Sequence, residues 1–141
     1  MYLGDLNVSA RSFKENIYFK KHKYNAVRTK HAGYSFASKA ESTLFDYLKV
    51  LERCGEIKNI QCQDHVKLTK AEILLIPDFK FFDVKSEKTV WAEMKGFETP
   101  EWRIKRRLWK FYGPGELQVY KAPGGKILLT ETIIPKLEDE C

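Results

Sequence analysis

Residues 76–96 read IPDFKFFDVKSEKTVWAEMKG, and three charged side chains in this stretch have types and spacing suited to chemistry. Asp78 follows Pro77, and Glu93 and Lys95 lie near the far end. Successive strand residues point to opposite faces, so Glu93 and Lys95 share a face while Ala92 and Met94 take the other. The turn between the strands decides whether Asp78 joins them. A two-residue turn at Lys85 and Ser86 pairs Val84 with Glu87 and sets Asp78 opposite Glu93. A four-residue turn over residues 85–88 pairs Val84 with Thr89 and sets Asp78 opposite Lys95. Either even-length turn gathers all three side chains on one face, whereas an odd loop separates them unless a bulge restores the phase. A cross-strand ion pair at a surface, worth about 0.2–1 kcal/mol, is the structural alternative to a site.

Glu41 weighs on that choice. Ser38-Lys39-Ala40-Glu41 is a capping box, with Ser38 as the N-cap and Glu41 three residues on. Leu44, Phe45, Leu48 and Leu51 flank Glu41 on the helix surface, so its carboxylate is expected within the apolar face, pointing at the sheet. A bond back to the Ser38 backbone would account for it locally. Bringing a third carboxylate inward, however, costs several kcal/mol unless a cation neutralises the cluster. Hard oxygen ligands with room for water suit Mg²⁺ or Mn²⁺ better than zinc.

The elements that must position these residues are readable in outline. The capped helix carries Leu44, Phe45, Tyr47, Leu48 and Leu51 on one face, and Gly55 ends it. IKNIQCQDHVKL, ILLIPDFKFFDV and TVWAEMK then read as three strands. Thr99 and Pro100 form an N-cap and N1 pair for a second helix, PEWRIKRRLWKFY, stopped at Gly113-Pro114-Gly115. ELQVYK is a further strand, APGGK a turn, and ILLTETII a last strand or hairpin partner. The order helix, three strands, helix, strand predicts an α/β domain, with a mixed central sheet flanked by helices.

On these residues the chain resembles the PD-(D/E)XK nuclease superfamily. Pro77-Asp78, fourteen residues, then Glu93-Met94-Lys95 matches its signature, and Glu41 matches its first-helix acid. The segments YSFASKAEST, PDF and AEMKGFETPEWRIKRRL look like phage endonuclease I-type, Holliday-junction-resolving enzymes. The resemblance covers about residues 33–121. It implies a restriction-endonuclease-like core and a Mg²⁺-dependent endodeoxyribonuclease holding one or two ions, with Mn²⁺ able to substitute. Asp78, Glu93 and the Met94 backbone carbonyl would bind metal, and Glu41 a second ion or a coordinated water. Lys95 would orient the attacking water or stabilise the phosphate. It also implies a homodimer acting on branched DNA. The alternatives are a restriction-like, transposase-associated or nicking enzyme directed by a protein partner, or a non-catalytic nucleic-acid-binding protein of this fold.

Charge is consistent with a polyanionic partner. The 141-residue chain carries 25 − 19 = +6, and residues 1–40 hold eight Lys or Arg against Asp5 and Glu15. Arg103, Arg106, Arg107 and Lys110 fall at i, i+3, i+4 and i+7, a basic stripe with phosphate-binding potential. Ile104, Leu108, Phe111 and Tyr112 are expected to pack on the sheet instead. Lys39, and Lys23, Arg28 and Lys30 of the arm, would extend the DNA-binding surface. Trp91, Trp102 and Trp109 are expected to pack in or beside the core. Residues 1–32 read as a basic, loosely ordered arm, 33–135 as one domain and 136–141 as an acidic tail. Cys54, Cys62 and Cys141 form neither a CxxC pair nor a disulfide framework, which fits a reducing cytoplasm, that of a host if the chain is phage-encoded. No signal peptide or membrane-spanning run is present, so no membrane partner is expected.

Overall fold

A computed structural model describes residues 29–31 and 34–136. The chain divides into two units, Met1–Ser42 and Thr43–Cys141. In the first, β1 (Thr29–His31) pairs antiparallel with β2 (Tyr34–Phe36). The short strand expected near residues 33–36 is present, and its partner occupies residues read from the sequence as a loose arm. The rest of that arm, with Lys23 and Arg28, lies outside the described residues, as do residues 137–141 of the tail.

Helix α1 (Lys39–Arg53) begins where the capping box placed it. The Glu41 N–H donates to Ser38 Oγ at 3.2 Å, satisfying one of the unpaired donors of the first turn. Gly55, at φ +77°, follows the helix in the left-handed conformation that a Cβ disfavours.

The second unit is built on a mixed five-stranded sheet of order β3-β6-β7-β8-β9. Its strands are β3 (Ile57–Cys62), β6 (Phe79–Asp83), β7 (Lys88–Met94), β8 (Glu116–Lys121) and β9 (Leu128–Ile133). β7 and β8 are parallel, joined through α2 (Pro100–Tyr112), and the remaining pairings are antiparallel. The expected parallel crossover is therefore present. Two of the long predicted strands are split. β4 (Val66–Lys67) and β5 (Leu74–Leu75) leave the sheet as a small ladder of their own. Pro77, which has no N–H to give a ladder, separates β5 from β6.

Register assigns the faces. Phe79 and Phe81 stand opposite Ala92 and Val90, with Met94 beside Tyr120 on the same face. From Thr43 onward α1 covers this side: Phe45 meets Phe79 at a ring separation of 6.0 Å, and Tyr47 meets Tyr120 at 6.1 Å. Trp91, Leu117, Val119 and Ile133 cluster with Trp102 and Trp109 of α2, and with Val66, Leu68 and Leu75 from the β4–β5 region. From Thr43 onward, α1 therefore packs on the Phe79 and Tyr120 side of the sheet. Both faces of β6–β7 carry large apolar residues, so alternation along the strands could not tell which helix covers which.

The two helices differ in what they bury. Trp102 and Trp109, seven residues apart, form the inward seam of α2, and the Trp109 indole N–H donates to the Gly115 carbonyl at 2.8 Å. Ile104, Phe111 and Tyr112, expected on the sheet, are exposed, and Leu108 is partly buried against the cluster. The bulkiest apolar side chains define the seam, and on the helix circumference Ile104 and Phe111 lie nearly opposite them. No helix among the described residues is long and apolar enough to cross a membrane.

Tyr120 gives this packing a pH signature. Burial, reinforced by Tyr47 and Glu116, pushes its phenol above the ordinary value of 10, and its hydroxyl donates to Gln118 Oε1 at 2.6 Å. A raised folded-state pKa means that the native protein holds the proton more tightly than the unfolded chain. The stabilisation is complete below pH 10 and is lost as pH rises from there toward the folded value. Chemical denaturation is expected to show falling stability between about pH 9.5 and 11, with a shallower fall for Tyr120→Phe.

Candidate functional site

Asp78 lies just before β6, Glu93 in β7 and Lys95 just after β7. The loop that aligns them spans residues 84–87, with Asp83 paired to Lys88. It has even length and the register of the two-residue alternative, since Phe79 opposite Ala92 places Asp78 opposite Glu93. The loop is shaped by its own residues. The Asp83 carboxylate accepts the Ser86 N–H at 2.9 Å, and Ser86 holds that carboxyl below the ordinary value of 3.8. Glu87 closes the turn at φ +56°.

Asp78 and Glu93 are buried, 7% and 4% exposed, and each is pinned by the other's strand. The Asp78 N–H donates to Glu93 Oε2 at 3.2 Å, and the Met94 N–H donates to Asp78 Oδ2 at 2.8 Å. The Asp78 carbonyl accepts the N–H of Gln63, whose φ of +59° is unusual for a residue with a side chain. These bonds orient the two carboxylates. Lys95 Nζ stands 3.5 Å from Glu93 Oε1, at the outer edge of a hydrogen bond. The same ammonium lies 4.7 Å from the ring centroid of Trp102. Asp78, Glu93 and Lys95 are therefore brought together as the hairpin spacing predicted.

Glu41 belongs to the first unit. Its Oε2 accepts the Ala37 N–H at 3.1 Å, one residue before the Ser38 donor expected of a capping box. Among the described residues no three His, Cys, Asp or Glu side chains form a ready-made metal-binding group. The donors that the second unit offers together are the carboxylates of Asp78 and Glu93, with the Met94 backbone between Glu93 and Lys95.

The basic stripe is interrupted. Arg106 lies four residues after Trp102 and three before Trp109, on the buried seam, and it grips both carboxylate oxygens of Glu131 on β9 through its Nε and Nη2. That hydrogen-bonded partner raises the guanidinium pKa further above its ordinary value. Arg106 is thus ion-paired to a neighbouring strand, with its side chain 34% exposed. Arg103 and Arg107 are exposed, Lys110 is half-buried, and Lys30 and Lys39 are exposed in the first unit.

Sequence reasoning did not find Trp102 beneath Lys95, or the left-handed Gln63 against Asp78. The spacing of Trp102 and Trp109 marks a buried seam that could have indicated the first. No local pattern marks the second.

With this α/β architecture and buried acidic hairpin, the chain belongs to the family described as "Protein of unknown function (DUF1064)", whose model matches residues 21–121. No curated protein matches the chain.

Separating Arg106 from its neighbours by mutation tests the role of the Glu131 pair. Arg106→Ala is expected to cost about 1 kcal/mol in denaturant unfolding, since it leaves Glu131 half-buried without its forked partner. Arg103→Ala, at an exposed position, should stay within about 0.5 kcal/mol of the parent.

Proposed function

We propose that this chain is a metal-dependent DNA endonuclease with a restriction-endonuclease-like core, acting on branched DNA. The observation that carries the reading is the cross-tied pair of buried carboxylates, Asp78 opposite Glu93, with Lys95 beside them. A surface ion pair explains Lys95 and Glu93 but gives no reason to bury a second carboxylate against the first. Burial without compensation would cost several kcal/mol, and a divalent cation supplies the compensation.

The donor set fits Mg²⁺. It consists of hard oxygens, and two carboxylates with a backbone carbonyl at Met94 leave positions for water and phosphate oxygens. Mn²⁺ would substitute. When bound, the metal would neutralise phosphate charge and lower the pKa of a water ligand. The protein's own contribution is positional. The backbone donors of Asp78 and Met94 keep each carboxylate from turning away, and the ammonium of Lys95 would hydrogen-bond the attacking water or a phosphate oxygen.

Exposed Arg103 and Arg107 lie in the two helical turns that begin at Pro100, soon after Lys95, and would contact flanking phosphates, giving affinity without base readout. Preference for branched DNA rests on the resemblance to junction-resolving enzymes. Two symmetric cuts across a junction would require two copies of the site, hence a homodimer.

A four-way junction, a linear duplex of the same sequence and a supercoiled plasmid should be incubated side by side with Mg²⁺, Mn²⁺ or EDTA. The expected result is cleavage with either metal and none with EDTA, with the junction cut fastest. Glu93→Ala is expected to reduce the rate by roughly 100-fold or more while binding persists. Equal cutting by Glu93→Ala would remove the catalytic assignment, and faster cutting of the linear duplex would favour a restriction-like role. Arg103→Ala and Arg107→Ala should each weaken DNA binding and lower the salt slope by about one.

A further inference from the structure

We propose that Trp102 positions Lys95, holding its ammonium on the indole face while its ion-pair contact with Glu93 stays long, at 3.5 Å. The proposal deepens the nuclease reading above and rests on it for the role of Lys95.

The backbone of Lys95 is fixed: its N–H donates to the Tyr120 carbonyl at 2.8 Å, extending the β7–β8 pairing by one bond. The side chain beyond it is long, and ordering such a chain costs rotamer freedom. The contact with Glu93, at 3.5 Å, is too long to supply that order alone. The indole lies within the roughly 6 Å over which a ring quadrupole attracts a cation. Trp102 is 3% exposed, and the Lys95 side chain 21%.

Trp102 is itself held firmly. Its backbone N–H donates to Thr99 Oγ1 at 3.0 Å, fixing it in the capped first turn of α2, and its ring belongs to the cluster with Trp91 and Trp109. The other two indoles are oriented by hydrogen bonds, Trp91 Nε1 to Asp64 at 2.9 Å and Trp109 Nε1 to the Gly115 carbonyl. The Trp102 indole N–H is buried without a hydrogen-bond acceptor among the described residues. Its orientation is therefore set by packing and by what lies on its face, which is Lys95. A close Lys95–Glu93 salt bridge would compete with a cation for the same carboxylate. Seating the ammonium on a neutral ring keeps the positive charge nearby and its contact with Glu93 long.

The test uses the full chain with Trp102→Leu, which removes the aromatic face, Trp102→Phe, which keeps a weaker one, and Trp109→Phe as a core control. In a proton–carbon correlation spectrum, with Lys95 assigned through Lys95→Arg, its side-chain methylene protons are expected upfield of the other lysines. That displacement should shrink in Trp102→Phe, vanish in Trp102→Leu and persist in Trp109→Phe. Single-turnover cleavage of the four-way junction with Mg²⁺ should slow about tenfold in Trp102→Leu and less in Trp102→Phe, with DNA affinity unchanged. Trp109→Phe should cleave at the parent rate. Ordinary Lys95 shifts in the parent, or parent-rate cleavage by Trp102→Leu, would overturn the proposal. A parent chain that shows the displaced signals but cuts no DNA would support the Lys95–Trp102 placement and refute the nuclease reading. If Trp102→Leu does not fold, the parent, Trp102→Phe and Trp109→Phe decide the matter by the same two readouts.

Discussion

The register of one hairpin governs the site. Phe79 opposite Ala92 sets Asp78 opposite Glu93, and the backbone of each strand then donates to the carboxylate of the other. A slip of one residue would send Asp78 to the face of Phe81 and Val90 and dissolve the pair. The loop of residues 84–87 protects against that slip with its Asp83–Ser86 bond. The parallel pairing with β8 and the antiparallel pairing with β3 fix the hairpin from both sides.

Placing these acids in the middle of a sheet requires both faces of the sheet to be covered. β7 is buried from Val90 to Met94, so Glu93 lies in a run of hydrophobic residues that alternate between two helices. The α2 side handles its charges individually. Lys80 lies over Trp91 at 5.4 Å and within 3.5 Å of Asp64, Arg106 grips Glu131, and Lys95 lies over Trp102. Cations that the sequence offers as a general positive surface are thus drawn partly into the fold, each beside a carboxylate or a ring. Arg103 and Arg107 remain exposed.

Much of the architecture was legible because it depends on local chemistry. Ser38 and Thr99 start the two helices by accepting backbone N–H groups that helical bonding leaves unpaired, and Gly55 and Gly113 follow their ends. The strand–helix–strand order implied the parallel crossover. The splitting of two long strands was less visible. Pro77 lies inside a stretch that reads as one strand, and the left-handed residues Asn59 and Gln63 are ordinary polar residues in the sequence.

By itself the sequence determined which residues could share a face. Period-two alternation joins Glu93 to Lys95, and an even loop adds Asp78, because side-chain direction in a strand follows from counting. Tertiary structure decided what those residues face. Both sides of the hairpin are apolar, so only packing could assign α1 to Phe79 and Tyr120 and α2 to Trp91. That choice put Trp102 beneath Lys95 and turned Arg106 inward to Glu131. These contacts join residues distant in the chain, and no spacing rule within a single element specifies which partner a side chain will meet across the core.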